Sequence, residues 1–361
     1  MAGEVLGDAG LTMARPRLFP PAVLTALVLA FAPPAAARPV SHAEALASLT
    51  PPPGKLLFGA YVGGRSGEED DITPADVAGF EATVGHRVAW VYFSNNWFRS
   101  RAFPARAAGW IRRHGATPFV RLMLRSDPEQ DHAEPLFTLQ RIAAGDFDAD
   151  LRRWMREAAQ FSTPILAEFG TEMNGEWFSW NARWNGRRTG AASFVAACRH
   201  IIDMARQNGA SNIVWVFHVN WDDAPKTRWN RLENYYPGDS YIDWMGVSLY
   251  SMQGPREDEK TAFDDVRGTL ARLNRLAPQK PVIVAEFGTD VHNRREPAAR
   301  WADRALDLIL SRRYPIIGFS WWNETWPNDD TPAHDTDLRI ASDPRLRAVF
   351  RRRLQDPQIL P

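Results

Sequence analysis

The chain has 361 residues, enough for one large domain, and its 45% apolar and 24% charged residues give the balance of an ordinary globular protein. Its 43 basic and 43 acidic residues cancel, so there is no basic excess of the kind that binds nucleic acid or anionic membranes. Cys198 is the single cysteine, which excludes an intramolecular disulfide and cysteine-built metal sites, and no cofactor is expected.

The N-terminal segment is predicted to be a secretory signal. Arg15 and Arg17 precede an apolar run, residues 22–32, which is too short to span a bilayer, and alanines at positions 35–37 suit a signal peptidase. We therefore expect a signal peptide at residues 1–37 and a secreted or periplasmic protein that does not associate with the membrane after cleavage. An uncleaved N-terminal anchor is the alternative.

A short lead-in is expected before the folded domain. Residues 38–54 are rich in Ala and Pro and end in three prolines at positions 51–53, which predicts an extended segment. The single catalytic domain is then expected at residues 55–361, as a monomer.

Strands and helices are predicted to alternate through this domain. Thr73, Pro74 and Asp76 are typical of a helix start, and only a weak helix is expected between the fifth and sixth strands. The apolar runs predicted as buried parallel strands are residues 56–62, 88–93, 118–124, 165–170, 213–219, 242–249, 282–287 and 316–322. The later helices are predicted at 148–160, 192–207, 262–276 and 297–312.

Eight such repeats without a glycine-rich nucleotide loop favour an α/β fold of one closed (β/α)₈ TIM barrel over a doubly wound sheet. In that fold the catalytic groups lie at the C-terminal ends of the strands.

Carboxylates stand at the ends of the fourth and seventh strands. The string Ala-Glu-Phe-Gly-Thr occurs twice, at residues 167–171 and 285–289. Because side chains alternate along a strand, Glu172 is expected nearest the barrel mouth, while Glu168 lies deeper as a paired interior charge. Two acids that converge from opposite strands suit glycoside hydrolysis, with a raised pKa for the acid and an ionised nucleophile. The alternative is that both acids only cap helices or pair with arginine.

Other side chains near the strand ends suit sugar binding. Tyrosine can donate a hydrogen bond to the nucleophile, and tryptophan presents a flat face to a sugar ring; of the two tryptophans on the eighth strand, one is expected to line the site. His218 alone is more typical of a hydrogen-bonded structural residue than of a catalyst. The candidates for substrate contacts are Asn174, Trp177, His218, Asn220, Tyr250, Trp321 and Trp322.

No metal site is predicted. The acidic stretches at residues 68–71 and 328–337 lack the calcium-loop pattern and are predicted to be solvated loops. A metal-dependent barrel enzyme would lack its ligands.

Residues 169–178, Phe-Gly-Thr-Glu-Met-Asn-Gly-Glu-Trp-Phe, resemble the acid/base signature of family 26 glycoside hydrolases, the β-mannanase family of clan A. Segments similar to the family in order and rough spacing are residues 144–148, 199–202, 212–216, 235–244 and 281–288.

This resemblance implies a role for several residues. Glu172 would be the acid/base and Glu286 the nucleophile, with Tyr250 hydrogen-bonded to the nucleophile. Trp177 would flank the acid, and Trp321 or Trp322 would lie under the reacting sugar.

Two departures from the family pattern stand beside the acid/base. Most members have His immediately before it, where this chain has Thr171, and commonly Arg four residues before it, where this chain has Glu168. Arg121 on the third strand is a candidate to compensate for the lost positive charge.

The resulting hypothesis is a secreted retaining endo-β-glycosidase that hydrolyses a polysaccharide, with β-1,4-mannan as the first substrate. Because the altered residues adjoin the bound sugar, a mixed-linkage β-glucan or a β-xylan is the alternative substrate. A non-hydrolytic glycan-binding barrel is the alternative class, although the intact Glu172, Glu286 and Tyr250 argue against it.

Overall fold

The computed structural model describes residues 40–253 and 263–361, without side chains at 263–265. The predicted signal at residues 1–37, positions 38 and 39 of the predicted lead-in, and the first position of the helix predicted at 262–276 lie outside the described residues. Within the described part, no helix is long and apolar enough to cross a membrane.

Eight parallel strands form a closed barrel in sequence order, with the last strand paired to the first, which confirms the predicted fold. Every strand is apolar and almost fully buried, because its neighbours and the surrounding helices cover both faces. The strands are β1 Leu57–Tyr61, β2 Trp90–Asn96, β3 Thr117–Met123, β4 Ile165–Phe169, β5 Ile213–Asn220, β6 Trp244–Tyr250, β7 Val282–Gly288 and β8 Ile316–Trp322.

Helices lie between most successive strands of the barrel. Thr73 caps its helix as predicted: its side chain accepts from the Asp76 backbone, and the Asp76 carboxylate accepts from the Thr73 backbone at 2.8 Å. The helices are α1 His42–Leu49, α2 Pro74–Val84, α3 Ala105–His114, α4 Leu139–Ala143, α5 Asp148–Phe161, α6 Gly190–Gln207, α7 Phe263–Leu276, α8 Ala298–Leu310 and α9 Pro344–Arg353. Two 3₁₀ turns, Arg228–Asn230 and Leu232–Tyr235, stand where only a weak helix was predicted.

The prediction of an extended lead-in is wrong, because α1 lies within it. Ser41 and Glu44 form a capping box, in which the Glu44 carboxylate accepts from the Ser41 backbone at 2.9 Å. The domain therefore begins before residue 55.

Helix α1 is attached to the barrel by polar contacts. His42 Nε2 lies 2.9 Å from an Asp243 carboxylate oxygen, and the Ser211 hydroxyl donates to the Val40 carbonyl at 2.7 Å. Burial alone would lower the pKa of His42, but the hydrogen bond to Asp243 is the larger cause and raises it. These contacts place the segment on the side of the barrel away from the strand ends that carry the candidate site.

Candidate active site

Glu172 follows β4 in a turn that only a few residue types can form. Gly170 has a φ of +73°, and a Cβ added there would lie 2.2 Å from the Phe194 ring, so glycine is required. Glu172 itself has a φ of +48°, a left-handed conformation that costs free energy in a residue other than glycine. A hydrogen bond of 2.9 Å from the Glu172 backbone to the His218 carbonyl stabilises it.

The Glu172 carboxylate is positioned by Trp177. The indole Nε1–H of Trp177 donates to Glu172 Oε2 at 2.9 Å. Gly175 makes room for the indole ring, since a Cβ there would lie 2.2 Å from it. The resulting arrangement leaves the carboxylate 8% exposed, enough for contact with a substrate.

Glu286 reaches the same cavity from β7, through an irregularity in the sheet. The register of β7 shifts against both neighbours near this residue, between Val247 and Ser248 on β6 and between Val284 and Phe287 on β7 itself. Bulges of this kind are frequent beside active sites, where they re-aim a side chain.

The two oxygens of Glu286 have different surroundings. The Tyr250 hydroxyl donates to Oε2 at 2.8 Å. Oε1 is buried without a hydrogen-bond partner among the described residues, and the nearest cation is Arg121 Nη2 at 4.0 Å. One oxygen is thus held in place, while the other remains available to a ligand.

Burial raises the pKa of Glu286 to about 7. The positive charges of Arg121 and His218 oppose this shift, while the negative charges of Glu172 and Glu168 add to it. The expectation of an ionised nucleophile therefore holds only above about pH 7 in the unliganded cleft.

Both carboxyls line an open cleft of about 780 Å³ at the C-terminal face of the barrel. The cleft contains the predicted Glu172, Glu286, Tyr250, Trp177, Trp322 and Asn220. It also contains residues that the sequence did not single out as site residues, among them Glu69, Gln130, Phe178, Trp221, Asp222, Glu324 and Trp326.

Three of the predicted substrate contacts have buried side chains that lie outside the cleft lining. Trp321 is 0% exposed, and its ring centroid lies 4.9 Å from that of Phe287. Its indole N–H donates to the Leu338 carbonyl at 2.8 Å. Its neighbour Trp322 is the tryptophan that lines the cleft.

Asn174 and His218 are the other two. The Asn174 amide bonds to the 220–223 segment, with Oδ1 accepting from the Asn220 backbone at 2.8 Å, so it positions that loop. His218 is 1% exposed and bonds through Nε2 to Ser248 at 2.8 Å, as suits a structural residue.

Glu168 is an interior paired charge, as predicted. His218 Nδ1 lies 2.9 Å from one of its carboxylate oxygens, Tyr92 donates a short hydrogen bond to the other, and Arg121 Nε is 3.8 Å away. Burial alone would raise the pKa of Glu168, but the charge and hydrogen bond of His218, followed by Arg121, hold it below its usual range. Burial likewise opposes the charge of His218, and Glu168 overcomes it and raises that pKa.

The acidic stretch at residues 68–71 is not simply a solvated loop. Glu69 lines the cleft and accepts from Ser94 and from Arg121, each at 2.5 Å. Asp70 pairs with Arg99 at 2.7 Å. The position of these acids directly after β1, and so at the catalytic face of the barrel, is the sequence signal that could have identified Glu69.

The second acidic stretch, residues 328–337, is also partly structured. It contributes Thr336–Asp337 (β10), which pairs with Thr325–Trp326 (β9) at the rim of the cleft. Within residues 40–253 and 263–361, no group of three His, Cys, Asp or Glu side chains is arranged to hold a metal ion.

A closed barrel with two carboxyls at the ends of β4 and β7, in a cleft lined with tryptophan, defines the class of barrel glycosidases. Residues 141–293 match the model of glycosyl hydrolase family 26. The matched segment, which is less than half of the chain, contains both Glu172 and Glu286.

Curated proteins with similar sequences are named for different polysaccharide-degrading activities. Endoglucanase H of Acetivibrio thermocellus is 26% identical over 82% of this chain and 30% of its own length. A Vibrio beta-1,3-xylanase, TXYA, is 22% identical over 62% of this chain and 50% of its own. A mannan endo-1,4-beta-mannosidase of Bacillus subtilis is 26% identical over 48% of this chain and 42% of its own. The chain thus matches half or less of the length of each of these relatives.

Solved structures agree in fold. The catalytic domain of a Bacillus sp. JAMB-750 GH26 endo-beta-1,4-mannanase superposes with a TM-score of 0.63 at 16% identity, covering 89% of this chain and 92% of that one. A GH26 beta-mannanase from Bacteroides ovatus gives a TM-score of 0.60 at 16% identity, covering 88% and 93%.

Proposed function

We propose that the protein is a retaining endo-β-glycanase in which Glu172 is the acid/base and Glu286 the nucleophile. The observation that carries this proposal is the convergence of the two carboxyls on one cleft, with Tyr250 donating to Glu286 at 2.8 Å and Trp177 donating to Glu172 at 2.9 Å. Among the described residues, one side-chain donor holds each carboxyl, so each keeps an oxygen for the reaction.

The reaction would proceed by double displacement. Glu172 gives its proton to the glycosidic oxygen as the bond to the anomeric carbon breaks, and Glu286 Oε1 forms a covalent bond to that carbon. Glu172 then removes a proton from water, which attacks the same carbon and releases Glu286. The Tyr250 hydroxyl, on the other oxygen, positions Glu286 for both steps.

Internal cleavage is supported by the shape and lining of the cleft. Tryptophans 177, 221, 322 and 326 are all part of the lining, so aromatic faces are available to several sugars of one chain. An open cleft of about 780 Å³ admits a polysaccharide without requiring its end.

β-1,4-Mannan is the first proposed substrate, since mannan endo-1,4-beta-mannosidases are among the relatives. A β-glucan is the second candidate, on two observations. Thr171, which replaces the usual histidine, is 1% exposed and bonds to His218 at 3.0 Å, so its side chain does not reach the cleft. In addition, endoglucanase H is the relative that matches 82% of this chain.

We further propose that residues 1–37 direct secretion, because two arginines precede a short apolar run there. Expression of the full chain, followed by N-terminal sequencing of the exported protein, should give Arg38 as the first residue. Retention of residues 1–37 in the cell membrane would contradict this proposal.

The activity is tested with a panel of β-1,4-mannan, mixed-linkage β-glucan, β-1,3-xylan and β-1,4-xylan, with reducing ends as the measure of cleavage. We expect a rapid fall in polymer length with few released monomers, and Glu286→Gln as the inactive control. NMR of the first product should show a retained anomer. An inverted anomer would contradict the assignment of Glu286, and binding without cleavage would favour the non-hydrolytic alternative.

A further inference from the structure

The charges that line the cleft are unbalanced, although the chain as a whole is neutral. Among the described residues that line it, five carry carboxyls and Arg121 alone carries a positive charge. The carboxyl groups are those of Glu69, Glu172, Asp222, Glu286 and Glu324.

Arg121 cannot neutralise this set, because its guanidinium is shared. It lies 2.5 Å from Glu69, 3.8 Å from the interior Glu168 and 4.0 Å from Glu286. Asp222 has its own partner, Lys226 at 2.9 Å, on the exposed rim. Glu172 and Glu324 are therefore the cleft carboxyls without an ion pair to a described cation, and Glu324 is the one of the two that the proposed reaction does not use.

Glu324 lies between two cleft tryptophans, Trp322 and Trp326, directly after β8. The Trp322 indole donates to one carboxylate oxygen of Glu324 at 2.9 Å, and the Tyr61 hydroxyl donates to the other at 3.4 Å. The Glu324 side chain is therefore held in place, and the residue remains 7% exposed to the cleft. The adjacent aromatic face of Trp322 would support a sugar ring whose substituents meet this carboxyl.

The pKa of Glu324 reflects both its burial and the neighbouring negative charge. Burial, followed by the negative charge of Glu69, raises the pKa of Glu324 to about 8. A ligand that brings a positive charge would offset this repulsion and allow Glu324 to ionise, whereas a ligand that brings a carboxylate would add to it. In the same lining, Oε1 of Glu286 has no donor among the described residues.

We propose that the cleft selects glycans by charge, with Glu324 as a specificity-determining residue that favours amine-bearing sugars over neutral ones and excludes acidic ones. This inference rests on the proposed function, because it takes the cleft to be the polysaccharide site. It assigns the substrate to a chemical class, a β-linked glycan whose chain carries hydroxyl or amino groups and no carboxylates where it meets Glu324.

The test compares three ethers of one polymer at equal, low degree of substitution: aminoethyl, hydroxyethyl and carboxymethyl β-1,4-mannan, with the same series of mixed-linkage β-glucan. The groups are similar in size and differ in charge. We expect kcat/KM to be highest for the aminoethyl polymer, lower for the hydroxyethyl polymer and lowest for the carboxymethyl polymer, with at least a tenfold difference between the aminoethyl and carboxymethyl forms. The difference should shrink in 0.5 M NaCl, because salt screens interactions between charges.

Two variants test whether Glu324 causes this preference for charge. Glu324→Gln should reduce the difference between aminoethyl and carboxymethyl substrates several-fold. Asp203→Asn removes the same charge from an exposed position on α6, where Asp203 pairs with Arg206 at 3.2 Å, and should leave the difference unchanged.

The outcomes separate the two proposals. Cleavage of the hydroxyethyl polymers with equal rates on all three charge forms would overturn the charge selection and leave the glycanase intact. A ratio that Glu324→Gln does not change would overturn the role of Glu324. If no polymer of either series is cleaved or bound, both proposals fail.

Discussion

The same five residues, Ala-Glu-Phe-Gly-Thr, end β4 and β7, yet their glutamates have opposite chemistry. Glu168 of β4 is paired with His218 and Arg121, and its pKa is lowered. Glu286 of β7 keeps one oxygen without a donor, and its pKa is raised to about 7. Both are buried, so the difference comes from what each faces across the barrel.

The geometry behind this difference is local to each strand end. Glu168 stands in regular register with Arg121 of β3, so the two side chains are neighbours in the sheet. Glu286 stands where β7 loses regular register with both neighbours, its register partner on β6 is Ser248, and its nearest described cation, Arg121, is no closer than 4.0 Å. The β4 end then supplies a second acid, Glu172, through its left-handed turn. Identical sequence thus gives one ion-paired carboxyl, Glu168, and one, Glu286, that we propose as the nucleophile.

The largest expected effect separates the two glutamates by activity. Glu286→Gln should lower kcat by about 10³-fold or more while sugar binding persists, because an amide cannot form the covalent intermediate. Glu168→Gln, the same change in the same string, should lower kcat far less. Kinetics of both variants on the best substrate of the panel give the comparison.

Chemical rescue provides the control for these assignments. With an aryl glycoside whose leaving group departs without a proton, azide or formate should restore activity to Glu172→Ala, because the anion attacks the glycosyl-enzyme in place of the water that Glu172 activates. Activity of Glu168→Gln that depends on azide or formate would show that the acid/base is Glu168 and not Glu172.

Stability should respond to the same two changes in opposite directions. The pKa of Glu286 is raised from 4.5 to about 7, so its contribution to stability is present below pH 4.5 and is lost as the pH rises through 7. That loss is about 3 kcal/mol. Glu286→Gln should therefore raise the melting temperature at pH 8.5 and do so less at pH 5.

Glu168→Gln should instead destabilise the protein, by up to about 3 kcal/mol, because His218 and Arg121 lose a buried partner. The lowered pKa of Glu168 means that its contribution is present above the ordinary Glu pKa and disappears only as the pH falls through the folded-state value. Thermal unfolding of both variants across this pH range checks the sign, and stabilisation by both would contradict the comparison.

The barrel and the presence of Glu172 and Glu286 in one cleft were predictable because apolar runs and strand-end acids are local features. Helix α1 was missed although Ser41 and Glu44 carry a capping-box pattern, since the surrounding alanines and prolines outweighed it. Glu69 could have been identified from its place after β1, whereas the proximity of Glu69 and Glu324 required the tertiary structure. They meet the cleft only because β1 and β8 are neighbours in the closed barrel.

The choice between Trp321 and Trp322 was equally beyond the sequence. Alternation places adjacent residues on opposite faces of a strand, but it does not say which face is which. The register shift of β7 against β8 lies directly beside Trp321, so counting from Glu286 could not decide the question either.

A smaller effect is expected in the pH profile. The positive charge of Arg121 lowers the pKa of Glu286 and so opposes the effect of burial. Without it, Glu286 would stay protonated up to a higher pH. Arg121→Gln should therefore move the acid limb of kcat/KM to higher pH by about one unit. In the unmodified protein, kcat/KM should fall on the acid side as the pH drops through about 7, where Glu286 takes up a proton.

Arg125→Gln is the matched control for this shift. Arg125 is also buried and lies directly after β3, but its contacts are Asn96 at 3.2 Å and Glu68 at 3.9 Å. Its replacement should leave the acid limb in place. Equal shifts in both variants would mean that general loss of positive charge, and not the guanidinium at 4.0 Å from Glu286, sets the limb.

The smallest effect concerns the donor to Glu172. Trp177→Phe keeps an aromatic face but removes the indole N–H that lies 2.9 Å from the carboxylate. The loss of one hydrogen bond is worth about 1 kcal/mol, or about fivefold in rate. Because the proton of the acid matters most when the leaving group is poor, the loss should be fivefold on natural linkages and smaller on aryl glycosides with good leaving groups.

Trp322→Phe removes the corresponding donor to Glu324 at 2.9 Å and should lower both rates alike, since Glu324 is not the acid. If Trp177→Phe also lowers both rates alike, the indole serves only as a sugar platform, and the turn after β4 holds Glu172 without it.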